Sequence, residues 1–267
     1  MIPRFQQVLC LWLAVLTLTA RGESSAFVEH PVSPWLNRAY QTDAGLPDIS
    51  ITGLAQTEDG YLWVATRGGL LCYNGATFVP LPPGNLPSPS SRTVRAIFRD
   101  ALDRLWVAME RGPVFCMQSD GLRAFTVENG LFTQRVLAIT GEADGTVWIV
   151  YPTQLRKIQD GRVQPVKLPA AIPELGSMLA TSDSLGNVWC ARNEHLIQMR
   201  GGVWQPEIKM GTPITALAAG AGSNVWMAAG NTLYEVSPGC PPVAVTPLPT
   251  NAITRLLLND QIGRAHV

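Results

Sequence analysis

The side chains in this 267-residue chain that could carry out chemistry are three histidines, five cysteines and a set of acidic residues that recur along the sequence. A Ser–His–Asp hydrolase needs a base held by an orienting acid beside a nucleophile. His30 and His266 lie near the termini. His195 stands in a loop with no nucleophile signature around it, so we read it as a polar loop residue and assign no catalytic residue. No C-x-x-C pair or Cys/His cluster occurs, so neither a metal site nor a cofactor is expected. Glu58, Asp59, Asp100, Asp103, Asp144 and Asp183 could supply the paired carboxylates of a glycosidase. Their recurrence at equivalent turns favours Asx-type turn hydrogen bonds instead. Cys72 and Cys116 occupy matching places in successive repeats and could pair in an oxidising compartment. Two small buried hydrophobes is the favoured reading of them.

The elements that must position these residues are repeats. Residues 51–81, ITGLAQTEDGYLWVATRGGLLCYNGATFVPL, divide into four strand-like runs. They are punctuated by Glu58-Asp59-Gly60, by Arg67-Gly68-Gly69 and by the hairpin signal Asn74-Gly75. The tryptophan of the second run returns as Trp106, Trp148, Trp189 and Trp226, at spacings of 37 to 43 residues. Each is preceded by an apolar run and a turn. The second runs are apolar almost throughout, as in Leu105-Trp106-Val107-Ala108, which predicts strands covered on both faces. Four-stranded sheets of about 42 residues that cover one another's faces are the blades of a β-propeller. The fold class is therefore all-β, with about five and a fraction blades in residues 51–260, and seven expected in a closed ring. Trp63, Trp106, Trp148, Trp189 and Trp226, one per blade at the same strand position, are assigned to the inter-blade core and not to sugar stacking.

In an antiparallel meander the loop after the second strand returns to the same end as the linker between blades. The loops at that end vary between repeats while the opposite turns look alike, and recognition usually resides in loops on a rigid scaffold. Arg67, Arg92, Glu110, Arg111, Arg135, Arg192 and His195 are therefore the candidate ligand-binding rim. With zero net charge and only Lys157, Lys167 and Lys209 as lysines, the chain lacks the basic stripe of a nucleic-acid binder.

Residues 1–26 read as a signal peptide: Arg4 precedes the apolar run 8–18, and small residues follow at Ser24 and Ala26. That run is shorter than the ~20 residues a membrane span requires. Residues 27–50 form a lead-in, and residues 261–267 read as a non-native tail. A sixth repeat starts at Ile253 and is cut short at Asp260, so the natural chain is expected to continue.

Trp35, Arg38 and Tyr40, then Gly45-Leu46-Pro47, the run from Asp59 to Thr66, Gly69-Leu70 and Asn74–Phe78 together resemble the two-component regulator propeller repeat. The resemblance extends over residues 35–260 and weakens in the fourth and fifth repeats. It implies a periplasmic sensor region of a hybrid histidine kinase, or of a diguanylate cyclase, anchored in the inner membrane by later parts of the chain. It also implies a small extracytoplasmic ligand, a carbohydrate among the candidates, and a homodimer in the full-length protein. The competing readings are a propeller lyase or glycosidase, and a secreted structural or adhesive propeller.

Overall fold

A computed structural model of the chain describes residues 40, 45–81, 92–118 and 121–247. The signal peptide, nearly all of the lead-in before Gly45, the sixth repeat and the C-terminal tail lie outside the described residues. Tyr40 and the blades belong to one compact unit.

The described residues form five sheets. Blade 1 comprises β1 (Ile51–Gln56), β2 (Leu62–Thr66), β3 (Gly69–Tyr73) and β4 (Phe78–Pro80). Blade 2 comprises β5 (Val94–Arg99), β6 (Leu105–Met109), β7 (Val114–Gln118) and β8 (Gly121–Phe125). Blade 3 comprises β9 (Ala138–Gly141), β10 (Val147–Val150), β11 (Leu155–Gln159) and β12 (Arg162–Val166). Blade 4 comprises β13 (Met178–Ser182), β14 (Val188–Arg192), β15 (His195–Arg200), β16 (Val203–Trp204) and β17 (Ile208–Lys209). Blade 5 comprises β18 (Ile214–Ala219), β19 (Val225–Ala229), β20 (Thr232–Val236) and β21 (Val243–Pro247). Each blade is an antiparallel meander in chain order. The first strands β1, β5, β9, β13 and β18 lie side by side in succession, which makes them the inner wall of a β-propeller.

Burial follows the sequence pattern. Every residue of β6, β10 and β14 is buried, because a second strand has a blade on each side. Trp106, Trp148 and Trp189 are each 1% exposed, whereas Trp63 and Trp226 are only partly buried. Full burial of an indole removes at most ~250 Å² from water, an upper bound of about 6 kcal/mol. The inter-blade clusters show the interleaving. Trp148 and Leu155 of blade 3 pack with Met178 and Cys190 of blade 4, and Trp189 packs with Val225 and Met227 of blade 5.

One local feature departs from the sequence reading. The Asn74-Gly75 hairpin is not a two-residue turn with both residues at positive φ: only Gly75 has one, at 94°. Instead the Asn74 side chain accepts from the Ala76 and Thr77 amides, both at 3.0 Å, closing a longer loop. Cys72 and Cys116 are not joined by a disulfide. Cys116 is buried and Cys72 partly so, in the third strands of neighbouring blades.

The outer strand of blade 4 is broken as well. β16 pairs with Met199 and Arg200, while β17 pairs with His195 and Leu196. Pro206, which has no amide hydrogen for a ladder, sits in the bulge between them.

Candidate functional site

The two ends of the blades are built differently. At the turn end, the residue six positions before each tryptophan accepts a hydrogen bond from the indole. Trp106 Nε1 donates to Asp100 Oδ2 at 2.7 Å, Trp148 Nε1 to Glu142 Oε1 at 2.7 Å, and Trp189 Nε1 to Asp183 Oδ2 at 3.0 Å. In blade 1 the acceptor is the Thr57 hydroxyl, at 3.1 Å. In blade 5 the equivalent position is Gly220, which has no side-chain acceptor, and Trp226 is only partly buried. The carboxylates also hold their turns: Asp100 accepts from the Leu102 and Arg104 amides, and Asp183 from the Leu185 and Asn187 amides. Asp59 and Asp144 accept from the amides two residues on. Asx turns were expected; the indole latch was not, although its six-residue spacing is present in the sequence.

Turn-end side chains also stitch blade to blade. Arg104 Nε binds Asp100 at 2.6 Å, and its guanidinium reaches the Gly145 carbonyl of blade 3 at 2.6 Å. Arg99 pairs with Asp103 and also spans to Glu58 of blade 1, at 2.6 Å. The acidic set is thereby committed to structure.

At the loop end, the β2–β3 type loops and the inter-blade linkers do share a face. The Arg67 amide donates to the Ser50 carbonyl, Thr93 Oγ1 donates to the Arg67 carbonyl, and the Glu110 amide donates to the Thr93 carbonyl. The Glu110 carboxylate lies 3.9 Å from Arg95 and 3.7 Å from Arg135, so the structure brings Glu110 and Arg135 together. Arg67, Arg92 and Arg111 are exposed on the same face. The Ser50 amide and hydroxyl hold the Asp48 carboxyl below its ordinary range, with a smaller pull from Arg67.

The remaining two rim candidates do not stand on an open rim. Arg192 is 2% exposed at the end of β14. Its guanidinium donates to the carbonyls of Pro173 at 2.7 Å, Glu174 at 3.0 Å and Pro152 at 3.4 Å, tying the blade 3–4 linker to the blade 3 loop. Burial pushes its pKa down. Sequence reasoning left it in a solvated rim because β14 ends on a charged residue next to a loop. His195 is the first residue of β15 and not a loop residue, and its Nδ1 lies 2.5 Å from Glu207 Oε1. It therefore faces the broken outer strand, with Glu194 and Lys209 nearby.

A cleft of about 710 Å³ opens at the loop end between blades 3 and 4. Leu155, Val166, Leu168 and Ile172 give it apolar walls, and Thr153, Gln154, Arg156, Lys167, Glu174 and Arg192 its polar lining. Its size is that of a small-ligand pocket. Among the described residues no group of three or more His, Cys, Asp or Glu could hold a metal ion.

Comparison with known proteins adds one decisive match: the family signature of the two-component regulator propeller covers residues 45–68, from the lead-in turn through β2. Residues 45–68 thus match the two-component regulator propeller repeat. Comparison with curated proteins by sequence gives no match. Among solved structures, the chain is similar to a protein named as the extracellular domain of a one-component system from B. thetaiotaomicron, with 18% identity and a TM-score of 0.65, covering 81% of this chain and 31% of that one. A second, named as the extracellular domain of a hybrid two-component system from the same organism, has 17% identity and a TM-score of 0.61, covering 77% and 31%. A catalytically inactive histidine variant of virginiamycin B lyase from Staphylococcus aureus, with quinupristin, has 16% identity and a TM-score of 0.64, covering 79% and 76%. At such identities the likeness is one of fold.

Proposed function

We propose that this chain is the extracytoplasmic ligand-sensing β-propeller of a bacterial two-component signalling protein, and that it binds a small ligand without transforming it. The observation that carries this reading is the regulator propeller signature on blade 1. It occurs in a fold shared with extracellular domains of one- and two-component systems. Export by the 1–26 leader places the domain in the periplasm, where a membrane anchor and a histidine kinase or diguanylate cyclase in the full-length protein would read its state. Ligand binding at the loop end would act on the packing of blades, or of a homodimer, to the extent that affinity differs between the two arrangements.

The propeller lyase is the competing reading. In the lyase neighbour, a variant lacking one histidine is catalytically inactive, which ties that protein's activity to a histidine. Here the one histidine among the described residues is bonded to Glu207 at the outer edge of blade 4, away from the inner strands. Sequencing the gene past Asp260 tests the proposal. A membrane span followed by a kinase or cyclase domain is the expected result. A stop codon shortly after the last blade would overturn it in favour of a secreted propeller.

A further inference from the structure

The cleft between blades 3 and 4 has a charge pattern that the rest of the molecule does not explain. Three of its lining residues, Arg156, Lys167 and Arg192, are cationic, and one, Glu174, is acidic. Elsewhere the part-buried arginines Arg95, Arg99 and Arg104 are matched with acid, whereas Arg67, Arg92, Arg111, Arg123, Arg162 and Arg200, which form no ion pair among the described residues, are all exposed. Among the described residues none of the three cleft cations forms an ion pair. Arg192 is buried against backbone carbonyls alone, and its Nε has no hydrogen-bond partner. Arg156 donates to the carbonyls of Gly130 and Leu155 and stacks over the Phe132 ring. Lys167 is exposed, and only its carbonyl is engaged, by Trp204 Nε1.

A buried guanidinium is costly, and the cleft's one acid, the exposed Glu174, acts on Arg192 without forming an ion pair with it; a low-dielectric wall strengthens the attraction for any anion that enters. The protein's net charge is zero, so this local excess is a property of the cleft and not of the whole surface. Leu155 and Ile172 supply an apolar floor beside the cations.

We propose that this cleft binds a small organic carboxylate with an apolar body, its acid group facing the Lys167 end and its body on Leu155 and Ile172. The inference rests on the sensor reading and names the ligand class for it. It also couples binding to blade packing. Arg192 reaches from β14 of blade 4 to the Pro152 carbonyl of blade 3, so an anion that engages Arg192 acts on a contact between the two blades.

The test uses the purified full chain with 3-phenylpropionate and hexanoate as probes, set against their neutral amides, in calorimetric titration and thermal unfolding. Saturable binding of at least one carboxylate, absent for its amide and weakened by added salt, is the expected result. Lys167→Glu should weaken it about tenfold, and Glu174→Gln should tighten it, both being exposed side chains whose replacement spares the fold. Far-UV circular dichroism of each variant checks that. Carboxylate and amide binding alike, no effect of Lys167→Glu, or no saturable binding by either acid would overturn the inference. A neutral disaccharide that binds equally well to wild type and Lys167→Glu would overturn it while leaving the sensor reading in place.

Discussion

The indole latch makes a quantitative prediction, which blade 4 states most clearly. Asp183 is 4% exposed and Trp189 1%. Asp183→Ala removes the acceptor for the Leu185 and Asn187 amides and for Trp189 Nε1 together. The two loop amides can turn to water, because Leu185 is exposed and Asn187 only partly buried. The indole N–H cannot, and an orphaned buried donor costs about 1–3 kcal/mol. Adding the lost turn bonds to a charged acceptor brings the total to about 3–4 kcal/mol, a sizeable share of a domain's stability. At about 2–4 °C per kcal/mol for a domain of this size, the midpoint should fall by roughly 6–16 °C. Asp183→Asn, which keeps a carbonyl oxygen, should lose less. The decisive assay is a double-mutant cycle by urea unfolding with Trp189→Phe, which leaves no N–H to satisfy. The coupling between the two sites should be about 1–3 kcal/mol. Effects that add to within ~0.5 kcal/mol would refute the latch as an energetic unit and leave it a geometric coincidence.

Other regions give independent tests. Gly186 has φ +78°, and a Cβ there would stand 2.2 Å from the Ala143 amide nitrogen of blade 3, so Gly186→Ala should cost about 2–4 kcal/mol in denaturant unfolding, whereas Gly222→Ala, open within 4 Å, should cost only its backbone strain. Burial pushes the Cys190 thiol up to about 12, while Cys240 is exposed; native-state alkylation read by mass spectrometry should modify Cys240 and reach Cys190 only on unfolding. Burial, outweighing the hydrogen bond from Trp148, raises the Glu142 carboxyl above its ordinary range. The native state then holds this proton more tightly than the unfolded chain. Stability should therefore fall as pH rises from the ordinary glutamate value through the raised one, and stay lower beyond it. Glu142→Gln keeps an acceptor for the indole and should flatten that fall; parallel stability-versus-pH curves for wild type and variant would show that Glu142 is not its source.

Which parts of this architecture can be read from the sequence follows from what repeats. The blades are legible because burial on both faces forces runs such as Leu105-Trp106-Val107-Ala108, and because one tryptophan per blade fixes the register. The turn acids are legible as turn formers but not as indole acceptors, since Thr57, Asp100, Glu142 and Asp183 share a position and not a residue type. The fate of charged loop residues is hidden altogether. Arg192 and Arg67 both end a second strand or begin the loop after it, yet one is buried under backbone carbonyls and the other is exposed. What separates them is the linker ahead of the inner strand. The long stretch between β12 and β13 folds over Arg192 and offers it the Pro173 and Glu174 oxygens. The His195–Glu207 pairing is hidden for a similar reason: it depends on the break that carries Pro206 out of the outer strand of blade 4.

The contrast between the two ends bears on how such a blade array could sense anything. At the turn end nearly every polar atom is spent on latches and stitches: Arg104 joins blade 2 to blade 3, Arg99 joins it to blade 1, and Ser184 reaches the Gly222 carbonyl of blade 5. Among the described residues Thr146 Oγ1 is buried there without a hydrogen-bond partner. At the loop end two arginines, Arg95 and Arg192, each have a buried Nε without a hydrogen bond; that of Arg95 lies 3.9 Å from Glu110, and that of Arg192 has no acid paired with it. A scaffold locked at one end can tolerate unmet polar demand at the other, where sequence varies from blade to blade. That unmet demand is what a ligand can satisfy with a gain in free energy, and the gain is largest where the cation is most buried. By that argument the cleft beside Arg192 is a better place to detect an anion than the exposed Arg67, Arg92 and Arg111, whose charges water already solvates.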